Sequence, residues 1–501
     1  MQTCGKDIVG SGDQRLVDVT GAAIEGAPLA LLLAAQAKRS ASRTALTLSD
    51  RSLTRAEIEK RSNQRAWQLL QAGLGHDEVV VLALPNGAAY YEFVYGVWKL
   101  GATPIHVSHK LTQREFGEIV ALAQPKLVLA TDGPLMTDEL SVFPDTPPPL
   151  KIASRWKIST SGGSTGRPKL IIDPNPALWS IEKQGHRRTA DSTIINPGPL
   201  YHSAPFGMMI PALGEGCHVV EMGRFDAESY LAHVARHRAT WAYLVPTMMA
   251  RIAKLPPDVR TRYDISSLQT LLHMAAICPP AVKRAWIDML GPDAVWEIYG
   301  GTERIGSTII GGAEWLLHPG SVGRPRQGID VRIVDENGAP LPTGEIGEIY
   351  FRRAGGPEST FRYIGADARR RGEWASFGDM GWLDADGYLY IADRRTDMIV
   401  TGGVNVFPAE IEAQIDALAG VLDSVVAAAP HEDLGVVPHA IILLQSDAPK
   451  WTEASLLEAL RERVASHKMP RAVTFVDEPL RDESGKVRRA AWHERLRVQS
   501  S

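Results

Sequence analysis

The stretch STSGGSTGRPKL, Ser159 to Leu170, carries three glycines, five hydroxyl-bearing residues and a lysine. Glycines let backbone N–H groups approach an anion, and lysine adds a compact positive charge, so this composition suits a phosphate cradle. The Walker spacing needs lysine directly after glycine, however, and Lys169 follows Gly166-Arg167-Pro168. A Gly/Ser run also serves as a plain linker, and this stretch alone leaves both readings open. Four further segments bear on the choice. In WEIYGGTERIG, Tyr299, Gly300, Gly301, Thr302 and Glu303 set two glycines beside a hydroxyl and a carboxylate. A carboxylate next to phosphates is repulsive unless a Mg²⁺ lies between them. In SFGDMGWLDADGYLYIADRR, Asp379 follows a glycine and Arg394 ends a strand-like run; a carboxylate accepts two hydrogen bonds from ribose hydroxyls. TGGVNVFPAEIE contributes Gly402 and Gly403, and DESGKVRR delivers Lys486 on a glycine turn. Each also has a plainer reading as a turn, a helix cap or a surface loop.

Residues so far apart in the chain meet only if a large fold gathers them. From about Leu53 the pattern alternates helix and strand, as α/β architecture requires. Thr54 and Glu57 have capping-box spacing ahead of a helix through Leu69 and Leu70, and VVVLALP reads as a buried strand. A helix through Phe93 and Trp98 precedes the strand ATPIHV. Thr112 and Glu115 cap a helix with Phe116, Ile119, Val120 and Ala123 on one face, and KLVLA is the next buried strand. Beyond about Gly320 the segments DVRIVDENG, GEIGEIYFR and GYLYIADR predict a β-rich subdomain over about 320–394. The last hundred residues read as a small α+β unit: a hairpin around Gly402-Gly403, a helix from Pro408 through Ile411, Ile415 and Leu418, strands VVAAAP and HAIILLQ, and a helix from Thr452 to about His467. The charged joint DRRTD sets the expected division into 1–394 and 395–501.

The 501 residues are 44% hydrophobic and 22% charged with a net charge of −4, the balance of a soluble globular protein. Without a large basic block, neither nucleic acid nor an anionic membrane is an expected partner. Cys4, Cys217 and Cys278 show no C-x-x-C spacing, so no zinc site or disulfide framework is indicated. The N-terminus has no basic and apolar leader pattern. A cytoplasmic setting is therefore expected.

Taken together, the five segments, with PLYHSAPF, resemble the adenylate-forming superfamily of acyl-CoA synthetases, aryl-CoA ligases, luciferases and peptide-synthetase adenylation domains, over about Leu53 to Leu496. The resemblance implies a large N-terminal domain of α/β subdomains with a β-rich subdomain, and a small mobile α+β C-terminal domain. It implies that a carboxylate attacks the α-phosphate of ATP, and that a thiol then displaces AMP from the acyl-AMP. Ser161, Gly162, Gly163, Ser164, Thr165, Gly166 and Lys169 would hold the β- and γ-phosphates. Thr302 would contact the α-phosphate, Glu303 the Mg²⁺, and Asp379 and Arg394 the ribose. Adenine would lie between His273-Met274-Ala275-Ala276 and Tyr299-Gly300. Lys486 would bridge the carboxylate and the nucleotide, and His202 would border the carboxylate and the thiol entrance.

The same resemblance makes Thr396 the hinge residue, where Asp or Lys is usual, and Gly402 and Gly403 the passage for a pantetheine arm. Gly162 also departs from the family pattern, standing where serine is frequent, which removes a hydroxyl but no backbone donor. No acid follows Tyr201-His202, which disfavours an α-amino acid substrate. Tyr201, Phe206, Met208, Met274, Gly301 and Ile305 would line an apolar acyl pocket suited to aryl, alicyclic or medium-chain acids. The expected reaction is carboxylate–CoA ligation with ATP, Mg²⁺ and CoA. A carrier-protein ligase, a nitrite-activating arylamine diazotase and an inactive nucleotide-binding protein are the alternatives. A homodimer is left open.

Overall fold

A computed structural model describes residues 26–162, 168–180, 187–401, 404–445, 448–482, 487 and 489–499. Gly163 to Gly166 of the glycine-rich loop, Gly402, Gly403 and Lys486 lie outside the described residues.

Two sheets carry the larger part of the chain. In the first, Val79–Ala83, Thr103–His106, Leu127–Ala130 and Ile158–Gly162 run parallel. Pro168–Ile172 then returns antiparallel to Ile158–Gly162, and Arg362–Ile364 closes the edge. The glycine-rich stretch is thus the connection of an antiparallel pair. The second sheet begins as six parallel strands, ordered Val295–Gly300, Thr270–His273, Trp241–Leu244, Thr193–Asn196, His218–Glu221 and Thr44–Thr47. It turns antiparallel at Ser307–Gly311 and continues through Ser321–Pro325 into Leu389–Arg394, Asp379–Leu383 and Gly347–Arg353. The β-rich run beyond 320 is therefore continuous with the parallel strands. Parallel strands buried on both faces explain most of the unbroken apolar runs, and ligands bind at their carboxyl ends; Leu127–Ala130, expected to be buried, is instead an edge strand with Val128 exposed.

Helices pack on both faces of the first sheet, Ala88–Lys99 on the side of the second sheet and Gln113–Ala123 on the other. Arg55–Gln71 and Gln113–Ala123 both start with the expected capping boxes, in which Thr54 and Thr112 accept from the backbone N–H of Glu57 and Glu115. Ala88–Lys99 is buried along most of its length, with Tyr90, Phe93, Val94, Val97 and Trp98 fully enclosed. Beyond the joint, Val421–His431, Gly435–Leu444 and Ala472–Val476 form a separate three-stranded sheet. The expected helix through Leu418 is Pro408–Asp416, with buried Leu418 in the turn beyond it. The helix expected to reach His467 ends at Arg461, followed by a 3-10 turn at Ser466–Lys468. The hairpin pairing Ile399–Thr401 with Val404–Val406 is present.

One buried carboxylate positions the loop that leads to Tyr201 and His202. Glu221, at the end of its strand, accepts from Asn196 Nδ2 at 2.8 Å, Asn86 Nδ2 at 2.9 Å and the Tyr91 hydroxyl. Asn86 in turn donates to Gly198 O at 2.9 Å and accepts from Leu200 N at 2.8 Å. Burial pushes the Glu221 carboxyl up to about 7 against these donors. A carboxyl raised by folding contributes full stability below its unfolded value, and loses it as pH rises through the folded value. Glu221→Gln, a neutral mimic of the protonated form, is expected to gain thermal midpoint relative to the wild type between pH 5 and pH 8. Melting curves at the two pH values check this, and a constant gap would contradict it.

Candidate active site

The carboxyl ends of the parallel strands gather most of the residues singled out in the sequence. Ser161 and Gly162 end their strand in register with Lys169 and Pro168, which fixes where the phosphate loop leaves and returns. Lys169 Nζ lies 3.8 Å from Glu303 Oε1 and 3.9 Å above the Tyr363 ring. Tyr363 donates its hydroxyl to the same Glu303 oxygen at 2.5 Å. Burial lowers the Lys169 pKa, with Glu303 opposing and the charges of Arg394 and Arg369 adding to the shift. Two arginines therefore act on one half-buried lysine, a field that favours an incoming polyanion.

Glu303 and Thr302 sit in the turn after Val295–Gly300. Only glycine fits at Gly301, where a Cβ would come within 2.5 Å of the Phe377 ring and 3.0 Å of Glu303 Oε2. Gly300 is nearly as tight, 3.2 Å from Gly306 O. Tyr299 donates its hydroxyl to Asp379 Oδ2 at 2.6 Å, and its ring packs against Phe351 and Phe377. Asp379 pairs in register with Arg394, whose Nε is 3.7 Å from Asp379 Oδ1. Burial raises the Asp379 carboxyl, while Arg394 and the Tyr299 hydroxyl pull it down. The Arg394 side chain is 64% exposed, so its guanidinium is open to a ligand.

Met274, Ala275 and Ala276 follow the strand Thr270–His273 on its way out of the sheet. Ala275 is exposed and has φ +79°, a left-handed conformation that costs an L-residue about 1–2 kcal/mol. Backbone held this way beside other site elements is strain stored where function gathers. His202 caps Ser203–Glu215, and its ring lies 4.6 Å from that of Tyr201. Phe206, Met208 and Met274 share one apolar cluster, whereas Ile305 packs in another with Tyr299 and Phe377. Thr396 is exposed, two residues past the last strand residue Arg394.

Residues 33–358 match the model of the AMP-binding enzyme, and residues 410–486 match the AMP-binding enzyme C-terminal domain. The chain belongs to the AMP-binding enzyme family. It is 31% identical over 482 residues to a feruloyl-CoA synthase of an Amycolatopsis species, covering 90% of this chain and 96% of that protein. It is 28% identical over 480 residues to a 2-succinylbenzoate–CoA ligase of Bacillus licheniformis, covering 89% and 96%. The anthranilate CoA ligase AuaEII, solved with anthranoyl-AMP, superposes with a TM-score of 0.82 at 24% identity, over 95% of this chain and 98% of that one. The o-succinylbenzoate CoA synthetase of Bacillus subtilis gives 0.76 at 22%, over 94% and 98%. These two likenesses establish the adenylate-forming ligase fold.

Within this family member, sequence reasoning passed over Tyr363, Phe377 and Arg369. The arginine run at 369–371 was a visible signal. Tyr363 had none, because it reaches Glu303 only through the pairing of Arg362–Ile364 with Pro168–Ile172. The strain at Ala275 has a direct test. Ala275→Gly is expected to stabilise the protein by about 0.5–1 kcal/mol, the left-handed penalty less the added freedom of the unfolded glycine. Denaturation with and without ATP reads the effect, and an unchanged or lower midpoint would show that Ala275 is not strained.

Proposed function

We propose that this chain is an AMP-forming carboxylate–CoA ligase acting on an aryl, alicyclic or medium-chain acid. The observation that carries the reading is the cluster of Lys169, Tyr363 and Glu303 beside the paired Asp379 and Arg394. That set suits the outer phosphates of ATP at one end and its ribose at the other. The names of the relatives support the acceptor, since the feruloyl and succinylbenzoate proteins are CoA ligases. An aryl acid agrees with both.

The chemistry joins two anions, so their repulsion must be offset where charge develops on the α-phosphate. Glu303 offers one carboxylate, and no cluster of three or more His, Cys, Asp or Glu among the described residues forms a closed metal cage. One protein carboxylate completed by phosphate oxygens and water is the donor set Mg²⁺ prefers. The bound ion would neutralise phosphate charge. Lys169 and the loop Ser161 to Gly166 hold the leaving pyrophosphate. Thr302 orients the α-phosphate, and Asp379 with Arg394 fixes the ribose. His202 and Tyr201 border the acid. Lys486 carries the charge that bridges the carboxylate and the α-phosphate.

The proposed division of the chain is 1–394 and 395–501, with rotation at Thr396 exchanging Lys486 for Gly402 and Gly403 between the two half-reactions. Cys217 and Cys278 are buried free thiols, which supports a reducing, cytoplasmic setting.

An acid panel with ATP is expected to yield AMP and pyrophosphate, and CoA to yield the thioester. Lys486→Ala should lose at least about a hundredfold in adenylation, the scale for removing one charge aimed at the transition state. Unchanged adenylation would remove Lys486 from the mechanism. Product formed only with a carrier protein, or only with nitrite and an arylamine, would replace CoA ligation.

A further inference from the structure

Lys157 lies just before the strand that runs into the phosphate loop, and it is only 5% exposed. Its Nζ donates to Ser203 Oγ at 2.8 Å, and sits 4.6 Å from the Trp156 ring and 5.9 Å from the Phe206 ring. A Cβ built on Gly207 would lie 4.0 Å from it. Ser203 and Gly207 are one turn apart on the helix that His202 caps. The ammonium is therefore lodged against the first turn of the helix whose start borders the reacting carboxylate.

The neighbouring polar groups cannot satisfy it. His106 shares its Nδ1 with Tyr201 O at 2.7 Å and its Nε2 with Ser159 Oγ at 2.8 Å. A carbonyl can only accept, so Nδ1 carries the proton and Nε2 accepts from Ser159. Asp173 is committed to Trp156 Nε1 at 2.5 Å, Arg304 at 3.1 Å and Asn175. An ammonium has three donors, and Ser203 takes one. Among the described residues, no carboxylate pairs with Lys157. The other two buried lysines there are paired: Lys99 with Glu59 at 2.8 Å and Lys283 with Glu297 at 2.6 Å.

Burying a lone ammonium costs several kcal/mol, and a cation–π contact returns about 1–2 kcal/mol. Burial accordingly pulls the Lys157 pKa down to about 7. An anion arriving beside it would supply the missing partner. The surroundings are aromatic and enclosed, which suits the apolar body of an organic acid and not a hydrated polyphosphate. Ser203 directly follows His202, and Gly207 lies one turn, about 5 Å, further along the same helix, so an anion at Lys157 would lie within a few carbon atoms of a carboxylate at His202.

We propose that Lys157 is a specificity-determining residue that binds a second carboxylate of the substrate, so that the preferred acid is a short aliphatic or aromatic dicarboxylic acid. This rests on the ligase reading above and narrows it to one substrate class.

The test compares hexanoate, adipate and adipate monomethyl ester, together with benzoate, benzene-1,3-dicarboxylate and its monomethyl ester. Pyrophosphate release and thioester formation are followed in the wild type, Lys157→Met and Lys157→Arg. In at least one set, the wild type is expected to favour the diacid over its ester by about tenfold or more in kcat/KM, since a site built to pair a polar group rejects the analogue that lacks it. Lys157→Met should lose at least about tenfold on that diacid, mainly through KM, with less than about threefold change on the ester. Lys157→Arg should keep part of the preference. Equal use of diacid and ester by the wild type overturns the proposal, and decides it alone should the methionine variant not fold. A uniform loss on all acids in Lys157→Met also overturns it, because that is the mark of a lysine that only supports the fold. Turnover of monoacids but not diacids overturns it while leaving the ligase reading intact. If no acid at all releases pyrophosphate from ATP, both fall together.

Discussion

The Asp379 carboxylate is the point on which the site hangs. It is buried, takes the Tyr299 hydroxyl at 2.6 Å on one oxygen and faces Arg394 on the other. Tyr299 belongs to the last parallel strand of the large sheet, while Asp379 and Arg394 belong to its antiparallel extension. One hydrogen bond thus clips the two halves of a continuous sheet together, at the place where strand direction reverses and a crevice opens. Its cost is visible in the upward push on the Asp379 carboxyl and on the Tyr299 phenol. A buried carboxylate is stable only with its donors in place. The position of Glu303, four residues beyond Tyr299, follows from that clip.

Much of this was legible locally. The capping boxes at Thr54 and Thr112 declare themselves within four residues, because both partners lie on the same turn. The apolar runs of the parallel strands are equally local in origin. The phosphate loop, the YGGTE turn and the Asp379 to Arg394 segment were recognisable through their joint order along the chain. The illegible part is pairwise and distant. Tyr363 meets Glu303 across the register of an edge strand, and Lys157 meets Ser203 between a strand of one sheet and a helix of the layer beside it. No periodicity encodes such meetings, since each depends on the twist and stacking of whole layers. Ile305 is a further case: it follows the glycine turn closely in sequence, and its packing with Phe351 and Phe377 is set by distant strands.

Charge is distributed with a consistent economy. Several cations buried for the fold meet carboxylates: Arg65 with Glu92, Arg188 with Glu215, and Arg489 with Glu412. Such pairs contribute little net stability but are costly to break. Around the crevice the rule changes. Lys169 is held at 3.8 Å from Glu303, too long for a hydrogen bond. Arg394 is 3.7 Å from Asp379 and largely exposed. Looser pairs keep cations in place while leaving their donors free to exchange partners, which is the condition for gripping an anionic substrate and letting its product go.

The proposed joint at Thr396 follows the same logic. Successive strand residues point to opposite faces, so Arg394 turns to Asp379 while Asp393 turns toward the next unit. There its Oδ2 accepts from Ala409 N, in the first turn of Pro408–Asp416, at 2.9 Å. Lys254 adds a second tie, donating to the carbonyls of Val421 and Leu422 at 2.9 Å. A rotation at Thr396 would break these bonds and no others named here, because Arg489, Asp397 and Glu412 all lie beyond it and travel together. The ties to be broken are hydrogen bonds to backbone groups, each worth about 1 kcal/mol net, or up to about 3 kcal/mol where a charge takes part. Burial also pushes the Asp393 carboxyl up to about 6. Under the proposed rotation, the tight charge pairs would sit within the part that turns, and the bonds that span Thr396 would be ones that water can replace.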